Sequence, residues 1–106
     1  MFFDKDNLPQ RELADGVTAG LAWGDNVMLS FVNISPGANV LPHGHPHEQM
    51  GLVLSGEVEI TIATETRTLK EGDVFLVPSG VEHSARSLKG RARVLDIFSP
   101  PREDFK

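Results

Sequence analysis

The strongest constraint on this chain is its punctuation. Ten glycines and seven prolines in 106 residues leave only short runs between breaks. Several of those runs alternate. Val58, Ile60 and Ile62 are interleaved with Glu57, Glu59 and Thr61, the two-residue period of a strand with one buried and one wet face. The segment from Val17 to Ile34 reads as two strands joined by a turn at Gly24-Asp25-Asn26, and the segment from Gly51 to Leu69 as strands around Ser55-Gly56 with a second turn near Thr64-Glu65. "GDVFLVPSG" is a compact apolar strand closed by Pro-Ser-Gly. "RARVLDIFS" alternates again, placing Val94, Asp96 and Phe98 on one face and Leu95 and Ile97 on the other. Only residues 9–15 and the closing "PPREDFK" suit a helical turn. Many short strands at near-regular spacing, without repeat or linker, predict an all-β sandwich or barrel forming one domain over residues 1–106.

Composition narrows the function. A formal net charge of −5 disfavours nucleic acid, whose binding needs Lys and Arg to neutralise phosphate. With no cysteine, there is neither a disulfide framework nor a thiolate metal site, so a metal here would bind through nitrogen and oxygen. The opening "MFFDKDNLPQRELADG" is acidic where a signal peptide is basic and then apolar, and no run is long enough for a membrane span. A soluble, cytoplasmic protein with no membrane or nucleic-acid partner is the expectation.

Three of the four histidines fall within five residues, at His43, His45 and His47. In a strand, residues i and i+2 share a face, so His43 and His45 would project together as a pair of ligands for one metal. His47 and Gln49 share that parity, although Pro46 interrupts the run. His83 stands apart, after "PSGVE". Ordinary surface histidines are the plainer alternative.

The spacing Gly37-x5-His43-x-His45-x3-Gln49-x6-Gly56 resembles the first motif of the cupin family, with Gln where most members carry Glu. Gly72-x5-Pro78-x-Gly80-x2-His83 resembles the second, with Ser87 where many have Asn. The resemblance implies a single-domain cupin, a double-stranded β-helix or small jelly-roll barrel with a metal in its mouth. It also implies the ligand set His43, His45, Gln49 and His83. Three neutral imidazoles and an amide leave a divalent ion's charge uncompensated, which weakens binding but strengthens the ion as a Lewis acid and as a host for an anion. Such a set suits Fe, Mn, Co, Ni or Zn without selecting among them. Taking His45 and His47 as the pair would break both glycine spacings, so His47 is expected at the rim. Glu48 should face away from Gln49.

The tail "LDIFSPPREDF", together with "HGHPHEQ", is similar to the small cupins of the pectin-degradation type, the KdgF family. That resemblance implies ring opening and ketonisation of 4,5-unsaturated monouronates from pectin or alginate to linear 4-deoxy-5-keto acids. It carries over Asp96, Phe98 and Arg102 as the catalytic set. Asp96 would serve as general acid/base, Arg102 would bind the uronate carboxylate through two parallel hydrogen bonds, and Phe98 would wall the sugar. Each has a plainer reading. Asp96 could pair with Arg91 or Arg93, and Arg102 could latch the terminus or touch a second subunit. Trp23 reads as core, and the four basic residues between Arg86 and Arg93 as a solvated edge strand. A homodimer is expected because small cupins often bury a sheet edge or face. Cupins also include Fe-dependent dioxygenases and non-catalytic sugar or metal sensors, two rival readings that the fold alone does not separate.

Overall fold

The computed structural model describes residues 1–106 as ten strands and one 3-10 turn. In chain order they are β1 (Gln10–Ala14), β2 (Val17–Trp23), β3 (Met28–Ile34), β4 (Asn39–His43), β5 (Glu48–Ser55), β6 (Glu57–Ile62), β7 (Glu65–Lys70), β8 (Val74–Val77), β9 (His83–Ser87) and β10 (Ala92–Ser99). The 3-10 turn spans Glu103–Phe105. Two antiparallel sheets face each other. The larger has the order β1-β2-β3-β10-β5-β8 and the smaller β4-β9-β6-β7. This is the all-β, double-sheet barrel that the alternation and the motif spacing predict.

The alternation fixes which side of each strand is dry. In β3, Met28, Ser30, Val32 and Ile34 are buried while Leu29, Phe31 and Asn33 are only partly so. In β10 the inward set is Ala92, Val94, Asp96 and Phe98, as the sequence parity requires. The apolar members of these two sets join Val17, Ala19 and Leu21 of β2, Val53 of β5, and Val58 and Ile60 of β6 in one core between the sheets. Each fully buried Val or Leu contributes roughly 1.5–3 kcal/mol.

Three local expectations are corrected. Residues 9–15 form no helical turn: Gln10–Ala14 is the edge strand β1, whose exposed positions leave no apolar alternation to read. The basic run is not an edge strand, because Arg86 lies in β9 between β4 and β6, paired with Glu59 at 3.0 Å, and Arg93 lies in the central β10. Trp23 is only partly buried; it packs against the core with Lys106 over its ring.

Candidate metal centre and its cavity

The histidines converge from three segments, not from one strand. His43 ends β4 and is the cross-strand partner of His83, the first residue of β9. His45 lies outside the strand, in the turn between β4 and β5, so the expected i, i+2 pairing along a single strand does not hold. Gly44 and Pro46 break the extended run. The turn is held by the Pro78-Ser79-Gly80 segment. The Gly80 N–H donates to the His45 carbonyl at 2.8 Å, and Ser79 Oγ donates to the Pro46 carbonyl at 2.5 Å. Gly80 adopts φ +77°, a left-handed conformation that suits glycine. The second sequence motif thereby fixes the first in space. Gln49 arrives from β5 of the opposite sheet, buried, while Glu48 faces out as its parity requires.

Each imidazole of the trio is oriented by a backbone carbonyl. His43 Nδ1 donates to Leu41 at 2.9 Å, His45 Nδ1 to His47 at 3.1 Å, and His83 Nδ1 to Val81 at 2.9 Å. A ring that donates from Nδ1 is left, when neutral, with a lone pair on Nε2. His83 Nε2 is buried with no hydrogen-bond partner. His45 Nε2 lies 3.0 Å from Gln49 Oε1, so in this tautomer two acceptors face each other. One ligating atom from each of His43, His45 and His83 can be chosen such that all lie within 4.8 Å of one another. Burial depresses the His83 pKa to about 4, and burial followed by the Arg102 charge lowers that of His45, so both rings are neutral at physiological pH. An orphaned lone pair, an acceptor facing an acceptor and neutral rings locked by carbonyls fit a divalent cation. All four expected ligands are brought together. His47 is not: it contributes its carbonyl to His45, and its own Nδ1 is buried without a partner.

Beside the trio lies a cavity of about 420 Å³ whose walls include His43, Gln49, His83, Asp96, Phe98 and Arg102. Asp96 sits mid-strand on β10, opposite Ser30 on one side and Gly51 on the other. The residue keeps some accessible surface, but Oδ1 has none and no hydrogen-bond partner. Desolvation raises its pKa to about 7, against the opposing pull of the Gln49 amide and the Arg102 charge. It makes no ion pair with Arg91 or Arg93; Arg93 occupies the outward parity of β10. Phe98 is buried and meets His45 edge-on at 5.5 Å between centroids.

Arg102 follows β10 and lies across two rings, 4.0 Å from the Phe105 centroid and 5.3 Å from that of Phe98. Its Nε and Nη2 donate to Asp104 at 3.3 and 2.7 Å, and its side chain is only 11% exposed. The hydrogen bond from Arg102 holds the Asp104 carboxyl below its usual range. Asp104 and Phe105 also line the cavity and were not anticipated. The i, i+2 spacing of Arg102 and Asp104 was the available signal for the first, and nothing local marked the second. Phe75, another wall residue, lies over Gly51, where an added Cβ would fall 2.0 Å from its ring.

Residues 30–98 match the family model described as Cupin domain. The pectin degradation protein KdgF of Dickeya dadantii is 36% identical over 98% of this chain and 96% of its own length. Among solved structures, KdgF from Halomonas sp. superposes with a TM-score of 0.92 at 31% identity, covering 100% of this chain and 98% of that one. An RmlC-like cupin from Shewanella frigidimarina also gives 0.92, at 27% identity over 99% and 95%. A double-sheet barrel, a histidine trio tied together by two glycine-bearing motifs and full-length similarity to KdgF place this chain in the cupin family, in its KdgF branch.

Proposed function

We propose that the protein is a metal-dependent enzyme of pectin or alginate breakdown that opens 4,5-unsaturated monouronates and ketonises them to linear 4-deoxy-5-keto uronates. The observation that carries this reading is the shared cavity. A histidine group suited to a cation, a carboxyl poised near neutrality and a largely enclosed guanidinium all face one space of about 420 Å³, large enough for a monosaccharide. The full-length similarity to a pectin degradation protein supports the same assignment.

His43, His45, Gln49 and His83 would hold the metal. When bound, it supplies Lewis acidity toward the sugar oxygens. The substrate is a cyclic hemiacetal whose ring oxygen is also an enol ether oxygen. Opening breaks the bond between C1 and the ring oxygen as the C1 hydroxyl loses its proton, giving the aldehyde and a C5 enol or enolate. Ketonisation then adds a proton at C4 and forms the C5 carbonyl. One proton leaves an oxygen and one reaches a carbon, so no net proton or electron is exchanged. A carboxyl whose pKa is about 7 populates both forms at neutral pH, which suits Asp96 to accept the first proton and return one. Asp104 engages the Nε/Nη2 fork of Arg102, so in place of the two parallel bonds expected from the sequence the remaining terminal nitrogen, Nη1, would donate to the substrate carboxylate. Phe98 and Phe75 keep the walls apolar, so the sugar's reactive edge meets few waters. The homodimer expected from the resemblance belongs to the same reading; the exposed Met50, Val74 and Leu76 on β5 and β8 of the larger sheet support it.

The test follows loss of the substrate's ultraviolet absorbance, which arises from its conjugated enol carboxylate and disappears in the ketone. Metal-loaded protein should accelerate the loss over the uncatalysed decay, and chelation should abolish the acceleration. Asp96→Asn should retain metal while lowering the rate by about 100-fold or more, the scale of general acid/base catalysis. Wild-type rates in Asp96→Asn would overturn the acid/base role. No acceleration by metal-loaded protein would overturn the reaction and favour oxygen chemistry, read by O2 uptake, or sugar sensing without turnover.

A further inference from the structure

The cavity has two unlike ends. On β10 the inward positions run Phe98, Asp96, Val94, and Val94 is paired with Val32 on β3. On the smaller sheet, the pair of His43 and His83 is followed one pleat along by Val40 and Ala85, with Ile60 on the other side of Ala85. Val94, Val32, Val40, Ala85 and Ile60 all wall the same space. Val94 and Ala85 lie about 7 Å beyond Asp96 and His83, two residues at the rise of a strand. The ionisable wall residues are His43, His83, Asp96, Arg102 and Asp104, and none stands beyond the level of Asp96. Ser84, the one hydroxyl on the walls, takes the outward parity of β9.

A uronate makes poor use of the far end. Each ring hydroxyl needs a hydrogen-bond partner once it leaves water, and these apolar side chains offer none. The reacting part of the uronate is smaller than the sugar. Its C4–C5 double bond, C5 oxygen and C6 carboxylate together form the enol of a 2-oxo acid, and ketonisation yields the 2-oxo acid itself. The polar end therefore reads a fragment that other molecules share, while the apolar end suits a substituent without hydroxyls.

We infer that the protein also ketonises enols of 2-oxo acids that carry an aromatic or other apolar group on C3, with the carboxylate at Arg102 and the apolar group between Val94, Val32, Ala85 and Ile60. The order of groups along such a molecule is carboxylate, enol, apolar ring. The walls follow the same order: Arg102 beside Phe98, then Asp96, then Val94. This activity rests on the acid/base part of the reaction proposed above. The enol hydroxyl gives its proton to Asp96 as the bond from C2 to oxygen becomes a carbonyl. The electron pair of the C2–C3 double bond takes a proton from Asp96 and forms a new C–H bond at C3. No oxidant, reductant or second substrate is consumed.

Two measurements on the full chain test this. The first follows the ultraviolet absorbance of the enol of phenylpyruvate beside that of the unsaturated monouronate, each corrected for uncatalysed decay. Metal-loaded protein should accelerate both losses, and Asp96→Asn should lower both rates by about 100-fold or more. Acceleration of the uronate alone would overturn the inference and leave the sugar reaction standing. Acceleration of the aryl enol alone would support the inference and overturn the sugar reaction, and acceleration of neither would overturn both. The second measurement is calorimetric titration of chelated protein with 3-phenylpropionate, which cannot enolise, and with propionate, which lacks the ring. The phenyl acid should bind about tenfold or more tightly than propionate. Ala85→Met fills the apolar end from β9, and circular dichroism verifies its fold. It should remove most of that difference and lower kcat/KM for the aryl enol about tenfold relative to the uronate. Equal affinity for the two acids, or a difference untouched in folded Ala85→Met, would overturn the inference.

Discussion

Arg102 makes three kinds of contact through one planar group. Two nitrogens engage Asp104, the cationic face lies on Phe105 and Phe98, and a third nitrogen remains for a ligand. A lysine can supply the charge but neither the fork nor the stacked plane. On the role proposed for Arg102, holding the uronate carboxylate in ground and transition states alike, Arg102→Lys should therefore raise KM by about tenfold or more with a smaller change in kcat. Initial rates across a substrate range read the split. An unchanged KM would identify Arg102 as a latch that closes the terminus over the barrel. The sequence made Arg102 visible through its resemblance to a tail motif, but not its restraint by Asp104 and Phe105. Those contacts depend on how the last residues fold back, and no periodicity encodes that. The three histidines and Gln49 were legible as a group for a different reason. Fixed glycine-histidine spacings mark where two turns must meet, even though the assumed strand geometry at His45 was wrong because Gly44 and Pro46 end the strand.

At the scale of elements, strands with one wet face could be read and those without such a face could not. Val58-Glu59-Ile60 in β6 alternates cleanly because its outer face meets solvent. β1 is exposed along most of its length, so "QRELA" carries no apolar period and resembled a helical turn. The Gly51–Phe75 contact belongs to this scale too. β5 and β8 approach closely enough on the cavity side for the Phe75 ring to occupy the space of a missing side chain. Gly51→Ala forces that ring to move, because a Cβ 2.0 Å from Cζ cannot coexist with it. Overpacking of this sort costs about 1–3 kcal/mol. Denaturant unfolding should show that loss in the single variant. Combining it with Phe75→Ala should cost less than the sum of the two single changes, because truncating the ring removes the clash. Strict additivity would mean that the ring yields without strain.

For the whole molecule, two buried groups pull stability in opposite directions as pH changes, and a cation held by the histidine trio would act on the same balance. In the metal-free protein, Asp96 titrates at about 7 when folded and near 3.9 when unfolded. The stability that its protonated form contributes is fully present below about pH 4 and is lost as pH rises through 7. His83 behaves oppositely. Its folded pKa of about 4 lies below the model value of 6.5, so its contribution is present above pH 6.5 and is lost as pH falls toward 4. The lowered pKa of His45 acts in the same direction as His83. Between about pH 4 and 6.5 the Asp96 and His83 slopes largely cancel in the wild type. Removing one group exposes the other. In chelated buffer, the melting temperature of Asp96→Asn should climb by several degrees from pH 4.5 to 6.5 and then level off. That of His83→Gln should fall across the same interval and on to pH 7.5. A 1 kcal/mol difference corresponds to about 4–8 °C for a domain near this size. Parallel profiles in the two variants would mean that these side chains do not set the pH response. A divalent ion at about 100 times its dissociation constant should then add about 2.7 kcal/mol at neutral pH, where His45 and His83 are already neutral. The gain should shrink as the pH approaches 4, where protons compete for His83. A melting temperature unmoved by Ni, Zn, Mn, Co or Fe in the wild type at neutral pH would show that the converging lone pairs hold no cation of this class.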